Sequence, residues 1–279
     1  MSELLSHRLL DLLACPDCGF DLKISNEKQL WCRICERNYE VRNGIPCLYP
    51  LAMNEDHLQE EESLADMMKR DHSSKKDQFS SAQWHESKNE FWKMVKKIVN
   101  GTNKTFINIG CGFDSHFKVH EKSGNVFVNF DLVYKMLESL KKEHGAEFCV
   151  AGDCNKLPFK KGSFDYAISI DVIHHETDQL KSLLKSFADL LKPGGLLFLE
   201  DPNAWGLFQA PKSILLPKPL YRFTRSTYHK IKKSSHRPAD YEFPTNVWKV
   251  KKILNNLDFN NIVVYPNNAY PSISYSAFQ

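Results

Sequence analysis

From residue 105 onward, the chain alternates short apolar runs with longer amphipathic segments. Runs such as FINIG, VFVNF and YAISI have the length and composition of strands, whereas VYKMLESLKKE and QLKSLLKSFADLL repeat their apolar residues at helical spacing. Such alternation predicts an α/β fold with a mostly parallel sheet that is covered by helices on both faces. Ligands of these sheets bind beyond the carboxyl ends of the strands, so we expect a functional site at that edge.

A glycine turn ends the first of these strands. The sequence TFINIGCGFDSH runs from strand residues into Gly110 and Gly112, and glycine lets a backbone approach a ligand where a Cβ would collide. Asp131 follows at the end of the next apolar run, VFVNFD. A glycine turn followed about twenty residues later by a carboxylate is how α/β folds hold a nucleoside. The same reasoning predicts one cleft lined by Gly110, Asp131, Asp153 and Asp171.

Two common nucleotide sites are disfavoured by the residues of this turn. A nicotinamide site needs a third glycine opening a helix, and this chain has Ser115 there. The chain also lacks the GKS or GKT sequence that cradles a triphosphate.

Several motifs follow one another between residues 105 and 203: NIGCG, then Asp131, then GDCNKLPFKKGSFDYAISIDVIHH, then LLKPGGLLFLEDPN. In this order and at this spacing they resemble the class I S-adenosylmethionine-dependent methyltransferases. The resemblance implies a Rossmann-like class I methyltransferase sheet, S-adenosyl-L-methionine as the cofactor and methyl transfer as the reaction. The cofactor-binding positions that it implies are Asn108, Gly110, Cys111, Gly112, Asp114, Asp131, Leu132, Asp153, Cys154 and Asp171.

The resemblance also implies a role for each part of this site. The two glycines would pass beneath the methionine part of the cofactor, and Asp131 would bind the ribose hydroxyls. Asp153 would meet the adenine amino group, with the Cys154 backbone nearby. The stretch 171–175 would line the floor of the cleft beside the sulfonium.

Two positions depart from the family's pattern. Asn108 stands where the first motif usually begins with an acid, and Asp114 replaces the third glycine. Asn108 can still form hydrogen bonds, but the loss of a carboxylate is expected to weaken cofactor binding. Asp114 could serve the ammonium of the cofactor, or it could cap a helix at a polar turn.

Four cysteines near the N-terminus form two pairs, with the spacing Cys15-x2-Cys18-x13-Cys32-x2-Cys35. In a chain without a secretion signal, such pairs indicate a metal site rather than disulfides. Four thiolates suit a tetrahedral structural zinc and leave no open position for a catalytic metal. The alternative is a set of four reduced structural cysteines.

The wider pattern, LLACPDCGFDLK followed by LWCRICERNYEVRNGIPCLYP, resembles the small zinc-ribbon proteins that act as methyltransferase activators. The match covers residues 9–49. Free-standing members of that family bind and activate methyltransferases. The resemblance therefore implies an intramolecular version that stabilises the catalytic part or presents its substrate.

These observations predict three regions. Residues 1–50 form a zinc ribbon, residues 51–83 a linker, and residues 84–279 a methyltransferase domain. Within the last region, residues from about 203 to 244 form a lid insertion that is rich in proline, aromatic and basic residues. After NIVVY the sequence shows no clear apolar strand to close the sheet.

Methyl transfer is an in-line displacement at a sulfonium, so alignment of the reactants supplies much of the catalysis. A base is needed only if the acceptor loses a proton as it attacks. His174 and His175, just after the fourth strand of the fold, are the candidate bases, although such histidines can also merely pack or touch the cofactor. The chain lacks the N/D-P-P-Y/F signature, which argues against methylation of adenine amino or glutamine amide nitrogens.

The lid is expected to build the acceptor site. Its segment 212–237 holds eight lysines and arginines and no acid. This composition fits an anionic small-molecule or glycan-like acceptor and tRNA or rRNA equally well, and a solvated basic face is the alternative. The resemblance to the methyltransferase family implies the small-molecule or glycan-like acceptor. A third hypothesis is a non-catalytic zinc-ribbon scaffold with a degenerate cofactor fold.

Features of a membrane or secreted protein are missing from the sequence. No run approaches the roughly 20 apolar residues of a membrane span. The N-terminus lacks the basic start and cleavage site of a signal peptide. A cytoplasmic location is therefore expected.

Overall fold

The chain forms two β-sheets that are joined edge to edge. The computed structural model describes residues 5–53, 58–59, 62–63, 78–113, 124–175, 178–202, 220, 245–266 and 272–278. The helices are α1 (His7–Leu10), α2 (Gln78–Ile98), α3 (Tyr134–His144), α4 (Leu180–Leu190) and α5 (Val247–Asn255). The strands of the N-terminal sheet are β1 (Lys23–Asn26), β2 (Gln29–Cys32), β3 (Arg37–Arg42) and β4 (Ile45–Pro46). The strands of the larger sheet are β5 (Thr105–Ile109), β6 (Val126–Asp131), β7 (Phe148–Ala151), β8 (Phe164–Ile170), β9 (Leu191–Pro202), β10 (Asn260–Pro266) and β11 (Ser272–Phe278).

The larger sheet has the strand order β10-β11-β9-β8-β5-β6-β7. Its five strands β7, β6, β5, β8 and β9 are parallel, and they are buried on both faces, as the continuous apolar runs predicted. Helix α2 packs on one face, with Phe91 and Val95 against Phe106 and Phe198. Leu183 of α4 and other apolar residues cover the opposite face. The predicted α/β class with a mostly parallel sheet is confirmed.

The closing strand, which the sequence did not indicate, is present as β11. It lies between β9 and β10 and runs antiparallel to both. Ser272 stands opposite Pro202, and Phe278 stands opposite Leu196, so pairing extends along the whole strand. A strand with a neighbour on each side satisfies its backbone groups through the ladder, which does not require an uninterrupted apolar run.

Helix α2 begins at Gln78, inside the segment 51–83 that the sequence suggested as a linker. The boundaries of the three regions stay a prediction. None of the helices among the described residues combines the length and apolarity needed to cross a bilayer.

The N-terminal sheet is antiparallel and continues into the edge of the larger sheet. The Leu48 N–H donates to the Ala151 carbonyl at 2.7 Å, which places the chain after β4 alongside β7. On the other side, the Ala14 N–H donates to Pro158 at 2.9 Å. Leu9, Leu13 and Leu48 share one apolar core with residues of the larger sheet. The small domain therefore covers a strand edge that would otherwise be exposed.

A charged network binds the strands together at the edge opposite the predicted cleft. Asp165 at the start of β8 accepts hydrogen bonds from the Thr105 N–H at 3.0 Å and from Lys192 Nζ at 2.7 Å. Lys104 Nζ lies 3.1 Å from the other oxygen of the same carboxyl. Burial raises the pKa of Asp165, but the hydrogen bonds from these three residues outweigh that effect and hold the pKa well below its ordinary value.

We expect Asp165→Asn to lower the free energy of unfolding by about 2 kcal/mol near neutral pH, as loss of charge-assisted hydrogen bonds does. Because the pKa of Asp165 is lower in the folded state than in the unfolded chain, its contribution is complete above the unfolded pKa and is lost as the pH falls towards the folded one. Urea unfolding of both proteins near pH 7 and near pH 3 should show the difference shrinking in acid. An equal difference at both pH values would contradict this assignment.

Candidate functional site

The glycine turn stands at the carboxyl end of β5 in a conformation that favours glycine. Gly110 has φ +69° and Gly112 has φ +56°, both in the left-handed region. A Cβ on Gly110 would collide with the Val172 side chain, whereas a Cβ on Gly112 would meet no atom within 4 Å. The space at Gly112 is therefore open. The N–H groups of Gly110 and Cys111 donate to the Phe130 carbonyl at 2.8 and 3.1 Å, which joins the turn to β6.

Asp131 ties the glycine turn to the next strand. One carboxylate oxygen accepts the Gly112 N–H at 2.8 Å, and the other accepts the Val133 N–H at 2.9 Å. The structure therefore brings together the two elements that the sequence predicted separately.

The residues after β7 form the adjoining wall. The Asp153 side chain accepts the Asn155 N–H at 2.8 Å and caps a single 3-10 turn, Cys154–Lys156. The Gly152 N–H donates to the Asp131 carbonyl at 3.0 Å, which holds this wall beside the Asp131 loop. Leu132 is half-buried, and its carbonyl accepts the Tyr49 hydroxyl at 2.8 Å. A residue that follows the N-terminal sheet thus contacts the predicted cofactor loop.

Other predicted positions differ in how they could contact a ligand. Asn108 is 3% exposed and lies within β5 between Asn129 and Ile168, rather than at the end of the strand. The Cys111 side chain is buried against apolar residues of α3, so a ligand would reach only its backbone. Asp114 lies outside the described residues, and so does the segment 212–237 apart from position 220.

The two predicted histidines lie together near the end of β9. His174 Nδ1 is 3.0 Å from Asp201 Oδ1, and the His174 N–H donates to the same oxygen at 3.3 Å. The His175 ring lies 4.1 Å from the His174 ring, measured between centroids. Burial raises the pKa of Asp201, while the nearby His174 lowers it, and burial is the larger effect. A carboxylate that holds Nδ1–H fixes the tautomer in which Nε2 accepts a proton.

Sequence reasoning missed Asp201 and a buried lysine. Asp201 follows the apolar run GLLFLE, so the rule that selected Asp131 and Asp171 could have found it. Lys88 of α2 lies with its Nζ 2.7 Å from Asp171 Oδ2. No signal in the local sequence marks that lysine, because its neighbours on the helix give an ordinary amphipathic pattern.

The four paired cysteines converge at the tip of the N-terminal sheet. The Sγ atoms of Cys15, Cys18, Cys32 and Cys35 all lie within 4.8 Å of one another. Two of the separations are 3.9 Å, between Cys15 and Cys35, and 3.5 Å, between Cys18 and Cys32. A tetrahedron with zinc–sulfur bonds of about 2.3 Å has sulfur atoms about 3.8 Å apart. The donor set therefore fits a tetrahedral metal ion.

The surroundings of these sulfurs support the same fit. The Tyr39 hydroxyl lies 3.1 Å from Cys15 Sγ and donates to Asp17 at 3.0 Å. Arg37 pairs with the same Asp17 at 2.7 Å. Such outer contacts hold metal ligands in place.

The strand order and the contact between Asp131 and the glycine turn define a class I methyltransferase fold. Residues 107–199 match a family model described as a methyltransferase domain, and residues 6–44 match a model described as Trm112p-like protein. A UPF0434 protein of Klebsiella pneumoniae is 41% identical over 59 residues, which are 98% of its length and 19% of this chain. Through its N-terminal domain the chain belongs to the Trm112p-like family, and it carries a methyltransferase domain after that.

Two longer relatives match over a small share of their own length. Phosphoethanolamine N-methyltransferase 1 of Zea mays is 34% identical over 113 residues, covering 38% of this chain and 22% of the maize protein. Probable tRNA methyltransferase 9B of Mus musculus is 27% identical over 132 residues, covering 47% of this chain and 28% of the mouse protein. The chain thus spans less than a third of the length of either protein.

A solved structure has the same fold at low sequence identity. Magnesium protoporphyrin IX methyltransferase of Synechocystis, solved with bound S-adenosylhomocysteine, aligns with a TM-score of 0.55 at 15% identity. The alignment covers 81% of this chain and 100% of that one. At this identity the likeness establishes the fold.

Proposed function

We propose that the protein transfers a methyl group from S-adenosyl-L-methionine to an anionic small-molecule or glycan-like acceptor. The observation that carries the proposal is the hydrogen bond from the Gly112 N–H to the Asp131 carboxylate, beside the open space at Gly112. S-adenosyl-L-methionine supplies an electrophilic methyl group on a sulfonium.

Different residues of the cleft are proposed to bind different parts of this cofactor. Asp131 would accept hydrogen bonds from the ribose hydroxyls, and the backbone of Gly110 and Gly112 would lie beside the methionine part. Asp153 receives the adenine amino group beside Cys154 and Leu132. Asn108 supports the strand from within, because it is buried in the sheet.

The nature of the acceptor is the finer part of the proposal. The basic composition of the segment 212–237 favours an anion, and the maize relative is named for a phosphorylated small molecule. The mouse relative is named for tRNA, which keeps RNA as the alternative. The second alternative function is that of a non-catalytic scaffold.

A structural zinc ion in the N-terminal domain is also part of the proposal. The four convergent sulfurs of Cys15, Cys18, Cys32 and Cys35 support it. With all four positions taken by thiolates, the ion holds the knuckles of the ribbon together and takes no part in the reaction.

Calorimetry with S-adenosyl-L-methionine tests the cofactor assignment directly. Absence of binding at cofactor concentrations on the order of 1 mM would exclude the enzyme and favour a scaffold. If the cofactor binds, transfer of a labelled methyl group can be compared among phosphoethanolamine, phosphorylated sugars and total tRNA. Labelling of tRNA alone, with affinity that falls steeply as salt rises, would instead support the RNA alternative.

We assign the general base to His174, oriented by Asp201. His174→Ala is expected to lower kcat about a hundredfold for an acceptor that loses a proton, with little change in the KM for the cofactor. Asp201→Asn should lower kcat in the same direction, because Nδ1 loses its carboxylate partner. In the wild type, kcat should rise with pH as the imidazole becomes neutral. Retention of kcat and of its pH profile in His174→Ala would exclude this role.

A further inference from the structure

A lysine is buried beneath the cleft between two carboxylates. Lys88 of α2 has a side chain that is 1% exposed, with its Nζ 2.7 Å from Asp171 Oδ2 and 3.6 Å from Glu200 Oε1. We call Lys88, Asp171 and Glu200 the charged triad. Removing an ammonium from water is costly, and even a well-paired buried ion pair is weak evidence for a contribution to stability. A buried charged group beside a predicted ligand site is therefore a candidate for a functional role.

The triad lies at the carboxyl edge of the sheet, where the cofactor site is proposed. Asp171 directly follows β8, and Glu200 stands near the end of the neighbouring β9. The Asp171 side chain is 25% exposed, whereas the Glu200 side chain is fully buried. Asp171 is therefore the more accessible of the two carboxylates that pair with Lys88.

Asp171 is also held in an unusual backbone conformation. Its φ of +56° lies in the left-handed region, which is strained for a residue with a Cβ and clusters at functional sites. Its N–H donates to the Glu200 carbonyl at 2.9 Å. The next residue, Val172, packs so closely on Gly110 that a Cβ there would collide. The ion pair with Lys88 thus holds Asp171, and Asp171 immediately precedes the residue that packs on Gly110.

We propose that Lys88 is a positioning residue that holds the Asp171 carboxylate towards the cationic methionine part of the cofactor. The inference rests on the proposed function. Transfer would form a bond between the methyl carbon and the nucleophilic atom of the acceptor as the sulfur–methyl bond breaks, and the electron pair of the broken bond would leave the sulfur neutral. A fixed carboxylate at the floor of the cleft therefore favours the charged cofactor over its neutral-sulfur product. Helix α2, which precedes the sheet, becomes part of the cofactor site.

Three ligands that differ in charge test this role by calorimetry. S-adenosylmethionine carries a sulfonium and an ammonium, S-adenosylhomocysteine only the ammonium, and 5′-methylthioadenosine neither. We expect Lys88→Met to weaken S-adenosylmethionine binding about tenfold or more, as loss of a charge-assisted contact does. S-adenosylhomocysteine should be affected less, and 5′-methylthioadenosine should bind as it does to the wild type.

Two further variants separate positioning from folding. Lys88→Met/Glu200→Gln removes one charge of each sign from the buried layer and should restore the melting temperature without restoring the preference for charged ligands. Lys93→Met places the same substitution on the exposed surface of α2, where the lysine side chain is 66% exposed, and should leave all three affinities unchanged.

The possible results are distinct. If the double variant binds all three ligands like the wild type, or binds all three more weakly by one common factor, Lys88 is structural and the inference falls. If the wild type binds none of the three ligands, the proposed function itself fails and the inference fails with it. Loss of affinity confined to the charged ligands supports the positioning role.

Discussion

Cys32→Ser is expected to abolish zinc binding and to lower the melting temperature by about 10 °C or more, since metal binding in such sites is largely folding free energy. Cys32 is fully buried, and its sulfur lies 3.5 Å from Cys18 Sγ. The effect should extend beyond the ribbon, because Leu13 and Leu30 share a core with Phe130 and Val150 of the larger sheet. Elemental analysis and thermal unfolding measure the two results.

Cys149→Ser provides the matched control for this variant. Cys149 is 1% exposed, within β7 of the larger sheet and away from the four convergent sulfurs. The Cys149→Ser variant introduces the same buried hydroxyl as Cys32→Ser, so some stability should be lost. Its zinc content should stay at about one ion per chain. A full complement of zinc in Cys32→Ser would show that the four cysteines are not the ligands. Absence of zinc from the wild type would favour four reduced structural cysteines.

Asp131→Ala is expected to weaken S-adenosyl-L-methionine binding about a hundredfold. The substitution removes the proposed acceptor of the ribose hydroxyls and also releases the N–H groups of Gly112 and Val133. Each charge-assisted hydrogen bond contributes about 1.5 to 3 kcal/mol, so the loss of two hydrogen bonds to the ribose gives an effect of this order or larger. Calorimetry measures the change in Kd.

Two variants make the Asp131 result specific. Asp131→Asn keeps one carbonyl oxygen but turns an NH₂ group towards a backbone donor, so its affinity should lie between those of the wild type and Asp131→Ala. Asp189→Ala removes a carboxylate from the surface of α4, where it pairs with Lys185, and should bind the cofactor normally. Unchanged affinity in Asp131→Ala would place the cofactor elsewhere.

Regular patterns in the sequence were sufficient to predict most of the elements. FINIG became β5, Thr105–Ile109, and VYKMLESLKKE became α3, Tyr134–His144, which ends at Gly145 with φ +68°. These predictions succeed because periodicity and turn residues are local. The proximity of Asp131 to the glycine turn was also predictable, because the carboxyl ends of neighbouring parallel strands meet at one edge.

Contacts that depend on distant partners could not be predicted in this way. The strand β11 forms because β9 and β10 offer it two ladders. Asp201 gains a role only because His174 comes within 3.0 Å of it. Lys88 lies on an ordinary amphipathic helix, and its pairing with Asp171 arises from how that helix packs on the sheet. In each case the partner is far away in the sequence, so local patterns do not indicate the contact.

By itself the sequence determined the α/β class, the glycine turn with Asp131 and the four-cysteine pattern, because each follows from spacing along a short stretch of chain. The order of the seven strands, the docking of the ribbon on β7 and the surroundings of Asp171 and His174 arose only on folding. These features depend on which surfaces meet when apolar faces are buried, and short-range spacing carries no information about that. The glycine turn is a local signal, whereas the charges that surround it come from distant parts of the chain.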